Sequence, residues 1–249
     1  MQVQPDERVD QLQAAGVKII QSKEVFAFSL DAVLLADFAV VKKHSRVVDL
    51  AAGNGAVGLF VAPRTDNQVT MVELQARLAD MAKRSVALNG FTNVDVHQLD
   101  LKDTTSVVSK DSVDVVTCNP PYFKLDPGHV TNPNDHLALA RHELTTTFKI
   151  VAQTASDLLK CQGKAFFVHR PDRLEELLQT LVEAKLAPKR IRFIHPKADR
   201  EANMVLIEAV KAGKPDGIRI LPPIVVYDAD GQYSPEVFKA LYGKEATRG

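Results

Sequence analysis

Val47-Val48-Asp49-Leu50-Ala51-Ala52-Gly53-Asn54-Gly55-Ala56-Val57-Gly58 reads as a strand that empties through a glycine loop into a helix. Without side chains on the loop, the backbone can approach a ligand closely, and the helix start turns its N–H groups toward it. The stretches after Asn67 repeat the same unit, with apolar runs of strand length alternating with amphipathic stretches of helix length. Strands are expected at Arg46 to Leu50, Gln68 to Glu73, Val94 to Leu99, Val113 to Cys118, Lys164 to His169, Arg190 to His195 and Met204 to Val210. Helices are expected over Gln75 to Asn89, Glu143 to Leu159 and Asp172 to Ala184, where apolar residues recur at helical spacing.

Only the short polar stretch Pro196 to Asn203 separates the last two strands, which is too brief for a crossover helix. They should therefore pair antiparallel. The expected fold is α/β and Rossmann-like: a seven-stranded, mostly parallel sheet with an antiparallel last strand and helices on both faces. One domain over residues 1–249 is expected, with residues 1–45 as an N-terminal segment and 214–249 as an extension carrying a short hairpin, Ile218 to Leu221 with Ile224 to Tyr227.

The glycine loop alone leaves two cofactor classes open. Gly53, Gly55 and Gly58 spell G-x-G-x-x-G, and Glu73 follows Gly53 by twenty residues, as in a dinucleotide fingerprint. Asp49 argues for the other class. Dinucleotide folds carry an apolar residue there, whereas a carboxylate at the strand end suits the ammonium group of S-adenosylmethionine. Glu73 then suits two ribose hydroxyls, and Asp100 suits an adenine amino group. As an isolated residue, each acid reads equally well as a helix cap or loop residue.

Asn119-Pro120-Pro121-Tyr122-Phe123 follows the fourth strand. Two prolines fix φ twice and remove two backbone donors, which makes a rigid acceptor turn. An exocyclic adenine nitrogen is a poor nucleophile because its lone pair is delocalised into the ring, so a site must orient it. The Asn119 side-chain oxygen and the Pro120 carbonyl can each accept one amino hydrogen. Tyr122, extended by Phe123, offers a face on which an unpaired base stacks. Packing of these aromatics as core is the alternative reading.

Composition limits the partners less. The 31 basic residues balance the 31 acidic ones, so global charge gives no reason to expect nucleic acid. Between Lys185 and Arg219, however, nine Lys or Arg face four acids, an excess that can follow a phosphate backbone or simply be solvated. Cys118 and Cys161 have no ligand spacing around them, and no metal site or disulfide is expected. His44, His97, His129, His136, His169 and His195 likewise suggest no metal and receive no role. The first thirty residues show neither a basic segment followed by an apolar stretch nor a membrane-length run, so a soluble cytoplasmic protein is expected, monomeric or weakly dimeric.

The chain resembles the bacterial valine-tRNA adenine N(6)-methyltransferase family. The likeness rests on the glycine loop, on Asn119 to Phe123, on Gln21 to Leu35, on Ala140-Arg141-His142-Glu143, and on Tyr227-Asp228-Ala229-Asp230-Gly231-Gln232-Tyr233. It implies a class I methyltransferase fold and methylation of the adenine 3′ of a tRNA anticodon. It implies that the segment around Phe28 and Asp31 closes over the methionine end of S-adenosylmethionine. Asp49, Gly53 with Gly55, Glu73, Asp100 and Asn119 match the family's cofactor positions. Asn119, Pro120, Pro121 and Tyr122 would carry catalysis, while Tyr122, Phe123, Arg141 and His142 would meet the RNA, although the last two could equally cap a helix. Ala51-Ala52 replaces the Gly- or Thr-containing loop of many relatives.

Guanine-amino rRNA and protein-glutamine methyltransferases share the Asn-Pro-Pro-aromatic turn, but they carry a sizeable domain ahead of the fold, where about forty-five residues stand here. A nicotinamide-dependent oxidoreductase is the reading from a different class, carried only by the glycine fingerprint.

Overall fold

The computed structural model describes residues 3–24, 30–120 and 148–244. Phe28, Pro121, Tyr122, Phe123, Arg141 and His142 lie outside the described residues, as does the start of the expected helix from Glu143.

All seven expected strands are present. They are β3 (Val47–Leu50), β4 (Val69–Glu73), β5 (Val94–Gln98), β6 (Val113–Cys118), β7 (Leu159–His169), β8 (Leu186–His195) and β9 (Met204–Lys211). Their order across the sheet is β5-β4-β3-β6-β7-β9-β8. The first five are mutually parallel, and β9 runs antiparallel between β7 and β8. The turn after β8 is too short for a crossover, so β9 must return beside it.

Period-two alternation divides the core into two layers. Val47, Met71, Phe166 and Leu206 point to one face, where they meet α1 (Leu30–Phe38) and α2 (Ala56–Val61). Val48, Val72, Phe167 and Ile207 point to the other, against α4 (Phe148–Leu158) and α5 (Leu174–Glu183). Between β4 and β5, α3 (Ala76–Asn89) buries Leu78, Met81, Ala82 and Val86 and stops at Gly90, which takes the left-handed φ of 66°.

Two parts of the fold depart from the sequence reading. Ahead of β3, β1 (Glu7–Leu12) and β2 (Val17–Ser22) form an antiparallel hairpin that packs on α3. The backbone N–H of Ile20 donates to the Ser85 hydroxyl at 2.9 Å, and the Asn54 side-chain amide donates to the Ile20 carbonyl at 3.1 Å. Ile19 and Ile20 are both buried because they enter different clusters, which erases the alternation that marks a half-buried strand. Each fully buried isoleucine stabilises by about 1.5 to 3 kcal/mol.

At the other end of the chain the expected hairpin is absent. β10 (Arg219–Ile220) and β11 (Ile224–Val225) both pair in parallel with β8, as one broken edge strand. Pro222-Pro223 holds φ near −65°, whereas a two-residue hairpin turn needs positive φ, and the register slips by one residue, from Ile220 opposite Ile191 to Ile224 opposite Ile194. The terminal helix α6 (Pro235–Tyr242) packs against α1 and against the turn Gln13–Ala15 of the N-terminal hairpin. Among the described residues, no helix is long and apolar enough to cross a membrane.

Folding also divides the basic stretch. Arg190 pairs with Glu208, Arg192 with Glu236 and Lys211 with Asp111, and the Lys189 ammonium sits on the carbonyls of Lys214 and Asp216. Lys185 and Lys211 lie at the amino end of the parallel strands, while Lys197 and Arg200 lie in the β8–β9 turn at the carboxyl end.

Candidate active site

From β3 the chain runs to β4 and β5 on one side, then returns to β6 on the other. The crevice between the carboxyl ends of β3 and β6 is therefore the topological switch point, where open α/β sheets bind ligands. The glycine loop leaves β3 there, and Asn119 and Pro120 leave β6 there.

Two carboxylates brace the loop. Glu73, buried at the end of β4, accepts the Gly53 N–H on one oxygen and the Gln75 N–H on the other, both at 2.8 Å. Burial pushes its carboxyl above the usual range. Asp49, 1% exposed, accepts the Gly58 N–H at 2.9 Å and the Thr117 hydroxyl at 2.7 Å, so it ties β3 to α2 and β6. Burial raises its carboxyl to about 7 and the charge on Glu73 adds to the shift, while the Thr117 and Gly58 bonds oppose it.

The loop must be glycine where it touches the sheet. Gly55 adopts φ 90°, and a Cβ on Gly58 would stand 2.5 Å from Met71 Cε and 2.8 Å from Met71 Cγ. Gly55 is required by its backbone angle, and at Gly58 α2 approaches Met71 of β4 too closely for a side chain.

The remaining acids work locally. Asp100 caps the 3-10 turn Leu101–Ser106, with one oxygen accepting the Lys102 N–H at 3.0 Å. The capping role and the strand-end position therefore coexist. Asp31 is buried in the first turn of α1, where it accepts the Ala32 N–H at 2.8 Å. Asn119 is half-buried and Pro120 buried, directly after β6. The structure thus gathers Asp49, Gly53, Gly55, Glu73, Asp100, Asn119 and Pro120 at one end of the sheet, while Asp31 stands in the first turn of α1.

His169 is a site residue that sequence reading missed. The register of Cys118 with Phe167, extended by two residues, sets this last residue of β7 beside Pro120. Its ring lies edge-on to Phe148 at 5.9 Å, and Nδ1 accepts the Arg170 N–H at 2.8 Å. Burial, helped by Arg173, lowers its pKa to about 4. At neutral pH the imidazole is uncharged, with its proton on Nε2. A lone histidine closing an apolar strand carries no signal until the β6–β7 pairing is known.

A cofactor fits this end of the molecule. Gln75 Oε1 is buried with no donor among the described residues, two residues beyond Glu73. Each carboxylate oxygen of Glu73 and Asp49 has spent one lone-pair direction on the protein and keeps another for ligand hydroxyls or an ammonium group.

A family model described as "Methyltransferase small domain" matches residues 17–187, which span the site from β2 through β8's first residues. The chain belongs to that family. Curated relatives of this methyltransferase are named tRNA1(Val) (adenine(37)-N6)-methyltransferase. The one from Dyadobacter fermentans is 27% identical over 86% of this chain and 89% of its own. Those from Phocaeicola vulgatus and Porphyromonas gingivalis are 28% and 26% identical, over 71% and 76% of this chain and 74% and 75% of theirs. In fold, the chain is similar to a structure from Agrobacterium tumefaciens described as a predicted O-methyltransferase, at TM-score 0.69 and 23% identity over 87% of this chain and 97% of that one. A geranyl diphosphate C-methyltransferase from Streptomyces coelicolor, solved with S-adenosyl-L-homocysteine, reaches TM-score 0.54 at 17% identity over 72% and 76%. The class I methyltransferase fold expected from the sequence is the one observed.

Proposed function

We propose that the protein transfers the methyl group of S-adenosylmethionine to the exocyclic amino nitrogen of an adenine in tRNA, next to the anticodon. The observation that carries this reading is the place of Asn119 and Pro120, at the switch point and across the crevice from the braced glycine loop. The names of the relatives support the substrate, and the residues support the chemistry.

When bound, the cofactor supplies an electrophilic methyl on a positively charged sulfur. Glu73 would hold the ribose through its two oxygens, Asp49 would balance the ammonium, Asp100 would take the adenine amino group and Asp31 would border the methionine end. On the substrate side, the Asn119 oxygen and the Pro120 carbonyl hold the two amino hydrogens, so the nitrogen lone pair faces the methyl carbon. Methylation would leave the nitrogen cationic, and those two acceptors would stabilise its hydrogens until one passes as a proton to solvent. Tyr122 and Phe123 provide the stacking face, and Arg141 and His142 contact phosphate. His169, uncharged at neutral pH, closes β7 beside Pro120 and would support that residue's position.

Transfer of labelled methyl to unmodified tRNA and to rRNA, each digested to nucleosides, tests the proposal. Label in tRNA as N(6)-methyladenosine is the expected result. Label confined to rRNA guanine, or no label in RNA while the cofactor binds, moves the chemistry to the guanine or protein-amide substrates that share the turn.

A further inference from the structure

The segment Tyr227 to Tyr233 takes no part in the site described above, yet it is built with care. Asp228 Oδ1 accepts the N–H groups of Asp230 and Gln232, both at 3.0 Å, and the Gly231 N–H donates to the Asp228 carbonyl at 3.1 Å. The turn closes with Tyr227 and Tyr233 bridged antiparallel, their rings stacked 5.2 Å apart and 16° from parallel. Tyr227 keeps 37% of its surface exposed. Tyr233 is half-buried under it, so the outer ring is held in a fixed plane by the inner one.

The turn is fastened to the carboxyl end of the sheet. The Val226 N–H donates to the His195 carbonyl at 2.8 Å and the Tyr227 N–H to the Pro196 carbonyl at 3.0 Å. Pro196 opens the β8–β9 turn that carries Lys197 and Arg200, both exposed. Asp199 and Glu201 share that turn and Asp230 lies at the tip of the next, so the patch has mixed charge. Between β6, which bears Asn119, and β11 stand β7, β9 and β8. At about 4.8 Å per strand that is about 19 Å, on the same edge of the sheet.

We propose that Tyr227, backed by Tyr233 and flanked by Lys197 and Arg200, is a second contact surface for the RNA substrate, stacking on an unpaired base of the loop whose target adenine lies at Asn119. This rests on the tRNA reading above. A preordered aromatic face loses little entropy on stacking, and unpaired bases splayed from an RNA loop are what such faces recognise. With acids interleaved among the cations, stacking carries more of the affinity than charge does.

Binding of unmodified tRNA by fluorescence anisotropy, in the presence of S-adenosylhomocysteine, tests this surface. Tyr227→Leu, which keeps an apolar cover over Tyr233 but removes the aromatic face, should weaken tRNA binding about tenfold, with melting temperature and S-adenosylhomocysteine affinity unchanged. Tyr227→Phe should bind like wild type. Lys197→Gln with Arg200→Gln should weaken binding severalfold and flatten its salt dependence. Wild-type binding by a folded Tyr227→Leu protein overturns the surface alone, whereas failure of the wild-type protein to bind tRNA overturns the tRNA reading with it.

Discussion

The two ends of the sheet are made from the same strands and differ in what their charged groups do. At the amino end, charges are spent on one another: Lys160 on Asp114 at 3.0 Å, Lys110 on Asp157 at 2.8 Å and Lys211 on Asp111 at 2.6 Å. At the carboxyl end, Asp49, Glu73 and Asp100 have no basic partner among their described bonds and accept from backbone N–H groups instead. Salt-bridged ends are finished surfaces. Carboxylates held by amides are fixed in position without a counter-charge, which is why the proposed chemistry is placed at that end.

The sharpest way to break this contrast is Asn119→Ala. It should lower kcat for methyl transfer about 100-fold or more, a larger loss than any fall in S-adenosylhomocysteine affinity measured by calorimetry. Next in size is the loop's approach to β4. Gly58→Val drives a branched side chain into Met71 and should cost about 3 kcal/mol in urea denaturation.

A third prediction uses the buried carboxylate. An ammonium group favours ionised Asp49, whose pKa is about 7 in the protein without ligand, so S-adenosylhomocysteine affinity should fall as pH drops below 7. The limiting slope is about tenfold per pH unit, and Asp49→Asn should abolish it. The same group sets a stability trend. Because its folded pKa is raised, Asp49 withdraws stability as pH rises from about 4 to 7. His169, with its folded pKa lowered to about 4, withdraws stability as pH falls below about 6.5. The two oppose each other over one window, so Asp49→Asn should show denaturant midpoints that rise with pH from 4 to 6.5 more steeply than wild type.

The smallest effect belongs to the amino end. Lys160→Gln and Lys110→Gln, at exposed ion pairs, should each change stability by less than about 1 kcal/mol and leave kcat alone.

The central sheet was legible because strands buried on both faces write apolar runs, and because Pro196 to Asn203 is too short to cross over. The acids at the strand ends were legible for a related reason: each interrupts or ends such a run. The N-terminal hairpin was hidden because Ile19 and Ile20 serve two different clusters. The broken edge strand was misread as a hairpin because its two halves are similar, and only the Pro222-Pro223 interruption decides between pairing with each other and pairing with β8. His169 depends on register, which one sequence does not carry. The basic stretch is close along the chain but divided by the fold, with Lys185 and Lys211 at the amino end of the sheet and Lys197 and Arg200 at the carboxyl end.

The central claim is that the turn after β6 presents an amino nitrogen, and no other atom, to the methyl donor. Its most direct test is single-turnover methylation of a synthetic anticodon stem-loop by wild type and Asn119→Ala, with the labelled atom of the base assigned by mass spectrometry. The account predicts label on N(6) of the adenine 3′ of the anticodon, lost when purine without the amino group replaces it and slowed about 100-fold in Asn119→Ala. Label on a ring nitrogen, or an undiminished rate in Asn119→Ala, would contradict it.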